Sequence, residues 1–284
     1  MKQITSLALM AAFAISFSNS VLAQKKGKKD PKDDPKYTHY YTDVEEAIEV
    51  KEVVLEFTNG VSRLDMCKFK TKFTNNTSDF LLINPSEFTI TTDGIAHNPK
   101  EKEFMLDPNE KKSKTIDVKG GEGLRAESIE VAPEGFARIS ADGTPVKMME
   151  FQLPASVNNI ESGNFSINLK QLKQETKETW ARFEVTYNGD DYGIVDPSRI
   201  SVTIESGQQF ANDNRKSKTI MLEKGDKKTI SAIFHIPAKV VDMQFATLMV
   251  QWGDAMMETK AEPFTIDDSV TFELDQTLTD EKNK

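Results

Sequence analysis

"VDPSRISVTIESG", residues 195–207, repeats the plan of "INPSEFTITTDG", residues 83–94: Asp or Asn, then Pro-Ser, an alternating run and a closing Gly. Proline has no ladder donor, so Pro85 and Pro197 are expected at strand starts, with Phe88 and Ile90 answering Ile200 and Val202. Upstream, "ARFEVTY" at 181–187 alternates Ala181, Phe183, Val185 and Tyr187 against Arg182, Glu184 and Thr186. That period of two marks a half-buried strand. "CKFKTKF" at 67–73 is its earlier counterpart, with Lys68, Lys70 and Lys72 facing water. Downstream, "LDPNEKK" from Leu106 matches "LEKGDKK" from Leu222, and Asn109 and Gly225 are the residue types that tolerate the left-handed backbone. "FARIS" from Phe136 then matches "FATLM" from Phe245, and "MME" at Met148 matches "MME" at Met256. These matches, spaced 108 to 116 residues apart, read as one unit written twice.

The first residues carry Lys2, an apolar run over 7–17 and Val21-Leu22-Ala23, the pattern of a secretory signal peptide over 1–23. With a single cysteine, Cys67, an exported chain forms no internal disulfide, which points to a bacterial product held by apolar cores. Residues 24–39 contain "KKGKKDPKDDPK" at 25–36 and read as a disordered charged linker, and 276–284 as a disordered acidic tail. Between them, short strands at 8–12-residue spacing predict an all-β fold: two antiparallel sandwiches at 40–154 and 155–275. The net charge of -9 disfavours nucleic acid and anionic membranes as partners, and the mature chain is expected not to insert in a membrane.

The second copy resembles the immunoglobulin-like domain of exported bacterial lipoproteins and secreted antigens of unknown function. The likeness runs through Asn188-Gly189, Asp196-Pro197-Ser198, Leu222, Gly225-Asp226, Phe234 and Pro237. The first copy shares it through Asn84-Pro85-Ser86, Phe88, Leu106, Pro108 and Glu110. The resemblance implies tandem immunoglobulin-like sandwiches, and it brings no catalytic residues and no cofactor.

Chemistry is sparse along the chain. Cys67, aligned with Ala181, reads as a buried hydrophobe, and His39, His97 and His235 lie far apart. Asp190, Asp191 and Asp196 gather hard oxygens in one loop and are candidate calcium ligands. The pairs Met148-Met149 and Met256-Met257 lack a His or Cys companion for copper, and Trp252 reads as a core ring. Asp268-Ser269-Val270 resembles a bacterial O-glycosylation acceptor. A recognition surface is better signalled by aromatic rings beside polar groups: Trp180 with Arg182, Tyr192, and Tyr37, Tyr40 and Tyr41 after the linker. The expected function is that of an exported, non-catalytic module binding a protein or glycan at the cell envelope. The alternatives are a structural or accessory subunit of an envelope assembly, and a metal-dependent enzyme using those aspartates.

Overall fold

Alternation decides the structure locally. In Met66–Asn75, Cys67, Phe69, Thr71, Phe73 and Asn75 are buried, and Glu178–Tyr187 follows the same inside-outside sequence of burial. The computed structural model describes residues 34–284; the expected signal peptide and linker residues 24–33 lie outside the described residues. The fold is all-β and sandwich-like, built from antiparallel sheets. In what we call lobe one, the long hairpin Val53–Arg63/Met66–Asn75 pairs on with Lys111–Lys119. Two shorter sheets face it and share their strand order, so they read as one sheet bent in the middle. Lobe two repeats this pairing with Phe165–Gln174, Glu178–Tyr187 and Lys227–His235 as its long sheet.

The bend is where Pro-Ser sits, which corrects the strand-start expectation. Pro85–Glu87 and Pro197–Arg199 each form one 3-10 turn between two strand segments. Asp196 fastens its turn by accepting from the Ser198 amide (3.1 Å) and hydroxyl (2.6 Å). Proline fits because the ladder is already broken there. The adjacent strands break at the same level, with Asn84 N donating to Gly135 O and Asp196 N to Ala255 O.

The domain boundary falls elsewhere than at 154/155. After Phe136–Ile139 the chain leaves lobe one, and Thr144–Pro145 and Phe151–Leu153 pair with Met256–Thr259 and Leu248–Gln251 of lobe two. After Met256–Thr259 it returns, and Ala261–Phe264 and Val270–Glu273 pair with Phe136–Ile139 and Ser128–Ala132. Each lobe is therefore completed by the two strands that follow the other lobe's last strand. Lobe two is continuous over 144–259, whereas lobe one needs 261–273, and Pro35–Lys284 forms one compact unit.

Strand pairing also revises the sequence matches. Asn75 N donates to Glu110 O and Tyr187 N to Asp226 O, so Asn75 and Tyr187 correspond at a spacing of 112. Cys67 therefore answers Thr179, not Ala181. Phe136–Ile139 and Met256–Thr259 hold the same place in the pairing, 120 residues apart, which overturns the matches of Phe136 with Phe245 and of the two "MME" runs. Asn109 and Gly225 do both take positive φ, at 58° and 85°.

Each lobe has its own apolar core, one around Phe57, Phe69, Phe88 and Phe272, the other around Phe165, Phe183, Val202 and Trp252. A third cluster, Phe80, Ile139, Ile194 and Met257, is the seam between lobes, with Leu82, Met105, Tyr192 and Met221 packed against it. Full burial of such side chains stabilises by roughly 1.5–3 kcal/mol each, which makes the seam a structural joint.

The expected disordered tail is a helix, Gln276–Lys282, because Asp275 caps it through the Leu278 amide (2.8 Å). It clasps the other terminus: Thr279 Oγ1 accepts from Tyr40 N (2.9 Å), and Asn283 Oδ1 from Thr38 N (3.0 Å). The linker expectation thus ends too late, since Tyr37 and Thr38 are buried and His39–Tyr40 is a strand on Val61 and Ser62. Among the described residues no helix is long and apolar enough to cross a membrane.

At the crossover, Gly143 lies so close to its neighbour strand that an added Cβ would stand 2.4 Å from Glu258 O. Gly143→Val is expected to destabilise the protein by about 1–3 kcal/mol, as overpacking does. Equilibrium urea unfolding, read by tryptophan fluorescence, checks this.

Candidate functional site

The residues singled out for chemistry are held apart. Asp190 pairs with Lys224 (2.6 Å), which keeps its carboxyl below the usual range, and Asp191 pairs with Lys260 (3.5 Å). Asp196 is engaged by Ser198 and by Arg199 Nε (3.0 Å). Each aspartate is neutralised by its own cation or turn, so the three do not converge as calcium ligands. Among the described residues no group of three His, Cys, Asp or Glu could hold a metal. Cys67 is fully buried, and burial pushes its thiol up to about 12, which removes the thiolate needed for reaction.

The histidines also work separately. His39 bonds Ala126 O (2.9 Å), His97 bonds Thr92 Oγ1 (3.0 Å), and His235 stands between Glu178 (2.9 Å) and Asp213 (3.1 Å) on an exposed face. Met256 enters the core of lobe two while Met257 enters the seam, and Trp252 packs edge-on against Phe183.

The aromatic candidates divide into three places. Trp180 and Arg182 share the outer face of the long sheet of lobe two, where Trp180 is half-buried between Lys173 and Ile233. Tyr192 is taken up by the seam, so it does not join them. Tyr37 and Tyr41 are buried at the end of lobe one, against the expectation of a free aromatic surface. Tyr41 Oη bonds Ser62 Oγ and Ala126 O (both 2.7 Å), and Tyr37 reaches Asp280 (3.3 Å). Tyr40 alone of the three stays half-exposed.

The same end of lobe two is built differently. The connection between the last strand of the long sheet and its successor spans 120–127 in lobe one but 236–247 in lobe two, four residues longer. The extra length carries Val240, Val241 and Phe245. With Ile204 and Ala246 they line a groove of about 460 Å³, and Phe245 is 86% exposed. The connection itself is anchored, since Gln174 Nε2 donates to Met243 O (3.0 Å) and Ala246 O (3.3 Å). Sequence reading missed Phe245 by aligning it with buried Phe136. The signal was present in the spacing, which steps from 116 to 120 across this connection.

No protein-family model and no curated protein matches the chain. Among solved structures it is similar to a β-glucuronidase from glycoside hydrolase family 2, at 10% identity and TM-score 0.20, over 71% of this chain and 24% of that one. A conserved domain protein from Bacillus anthracis shows 7% identity and TM-score 0.21, over 82% and 91%. A β-glucosidase from Kluyveromyces marxianus shows 9% identity and TM-score 0.23, over 84% and 50%. The chain thus spans about a quarter of the glucuronidase and half of the glucosidase. At these TM-scores the likenesses carry no argument about activity.

One acidic pair lies along the free edge of the Lys111–Lys119 strand. Glu101 Oε1 accepts from the Asp117 amide (2.7 Å), while its buried Oε2 faces no donor. Burial pushes the Glu101 carboxyl up, with Asp117 beside it adding to the rise, whereas Lys119 and the Glu101 hydrogen bond hold Asp117 down. A raised carboxyl favours the folded state when protonated, so ionised Glu101 costs stability as pH rises through its folded value. Glu101→Gln supplies a donor without the charge. It is expected to raise Tm at pH 7 by about 2–4 °C, one hydrogen bond's worth. The gain should shrink on acidification, where Glu101 takes up its own proton; calorimetry across pH 4–8 checks both.

Proposed function

We propose that this chain is an exported, non-catalytic binding module of two immunoglobulin-like sandwiches, copies of one unit, that holds a protein or glycan at the bacterial cell envelope. Its surface for a protein partner is the open end of lobe two. The observation that carries the reading is Phe245, 86% exposed beside the 39% exposed Val240 and lining a groove whose walls also hold Glu205, Ser206, Asp242 and Thr247. A ring left in water costs burial that folding could have gained, and contiguous exposed apolar surface marks contact sites. The corresponding end of lobe one is closed by the chain's own Tyr37 and Tyr41, which supports the view that such an end is completed by another segment. Export is supported by the apolar run at 7–17 and the Val21-Leu22-Ala23 pattern. A second reading, a spacer within an envelope assembly, draws on the buried seam that joins the lobes.

The test is crosslinking mass spectrometry on cells producing the tagged chain, beside a Phe245→Ser, Val240→Ser variant. Both side chains are exposed, so each change should leave stability within about 0.5 kcal/mol. The reading expects crosslinks to one envelope protein that fall at least tenfold in the variant at unchanged Tm. Identical crosslinks from both chains would count against this surface.

A further inference from the structure

The long sheet of lobe one turns a different face to water. Lys68, Lys70 and Lys72 alternate outward along one strand, opposite buried Cys67, Phe69, Thr71 and Phe73. Antiparallel register sets Arg63 and Lys119 beside Met66 at one end of this face, and Lys111 beside Thr74 at the other. Six cations therefore meet Glu49, Glu56 and Asp117, with Glu101 beside Asp117 at the edge, on a chain that has 36 basic and 45 acidic residues. Glu56 is spent on Lys72 (2.5 Å) and Asp117 on Lys119. Among the described residues Lys70 and Lys111 make no ion pair, and Lys68, across from Asp117, feels its charge without a close contact.

Solvation alone does not demand this row. In lobe two the corresponding outward positions are Trp180, Arg182 and Glu184, so the same fold keeps its sheet in water with mixed charge. From the Arg63–Met66–Lys119 row to the Thr74–Lys111 row the face runs eight residues, about 27 Å at strand rise. Between the cations stand hydroxyls: Thr58 and Thr115 flank Lys70, and Ser113 flanks Lys72. At the rim, Tyr40 pairs with Val61 beside Lys68 and offers a half-exposed ring.

We infer that this face binds a linear acidic polysaccharide, its carboxylates on the lysine row and its hydroxyls on the Thr and Ser side chains. Charge complementarity selects a polyanion. A sugar chain can follow a strand-long row of cations alternating with hydroxyls, and the ring of Tyr40 suits stacking on a sugar face. An extended anionic surface would also meet the acidic remainder of the molecule, which repels it. The site is separate from the Phe245 groove and does not depend on it.

Polygalacturonate is the probe, titrated against the full mature chain by calorimetry at several salt concentrations. Neutral dextran, phosphatidylglycerol vesicles and an oligo-dT strand serve as comparators. Lys68→Gln, Lys70→Gln, Lys111→Gln should weaken polygalacturonate binding at least tenfold and flatten its salt dependence by about two in slope, at unchanged Tm. Lys227→Gln, Lys228→Gln in lobe two and Phe245→Ser should bind as wild type does. The inference is overturned if polygalacturonate does not bind, if the triple variant binds equally well, or if dextran, vesicles or oligonucleotide bind as tightly or more tightly.

Discussion

Two strand pairs carry the whole architecture: Phe136–Ile139 with Ala261–Phe264, and Met256–Thr259 with Thr144–Pro145. Each joins a lobe's last strand to a segment that has just left the other lobe. Lobe one's core contains Phe272 and Val270 from the returning chain, so it cannot close before lobe two has been traversed. The outer faces of the same strands supply Ile139 and Met257 to the seam, and Gly143 lets the crossing backbones approach. No ladder runs from one lobe to the other, so what holds them together is the apolar seam and the two short crossings of the chain. Both binding surfaces proposed here lie within the one compact unit Pro35–Lys284.

Much of this was legible locally. Period-two alternation placed the strand at 67–73 and the strand at 181–187, and the left-handed positions at Asn109 and Gly225 were readable because few residue types accept that backbone. What failed was non-local. Pro-Ser looks alike at a strand start and at a bend, and only the matching breaks at Gly135 and Ala255 in the neighbouring strands distinguish the two. The boundary at 154/155 followed chain order, whereas strand pairing is free to take its edge from either side of an inserted unit. The tail at 276–284 looked too polar to fold because its partners, Tyr37 to Tyr41, lie far away in sequence.

The candidate site was legible in part. Trp180 and Arg182 do face outward together, as alternation requires. Tyr192 and the aspartates misled for one reason: residue type signals an available group, but not the neighbour that has already claimed it. Lys224, Lys260 and Arg199 claim the carboxylates, and the seam claims Tyr192. Phe245 was hidden by a short chance match, "FAR" against "FAT", which outweighed the steady growth of the spacing. The lysine row at 68, 70 and 72 was visible as a solvated face; its excess over lobe two emerged only once register set Lys111, Lys119 and Arg63 beside it.

The central claim, that each lobe takes its closing strands from beyond the other, is tested most directly with two fragments of nearly equal length. Fragment 143–260 holds every strand of lobe two. Fragment 155–275 follows the boundaries suggested by the repeat, lacks Thr144–Pro145 and Phe151–Leu153, and carries Ala261–Phe264 and Val270–Glu273 without their partners. Thermal unfolding followed by circular dichroism should give a cooperative transition for 143–260 and none for 155–275. A cooperative transition for 155–275 with none for 143–260 would contradict the crossover and restore the simple tandem arrangement.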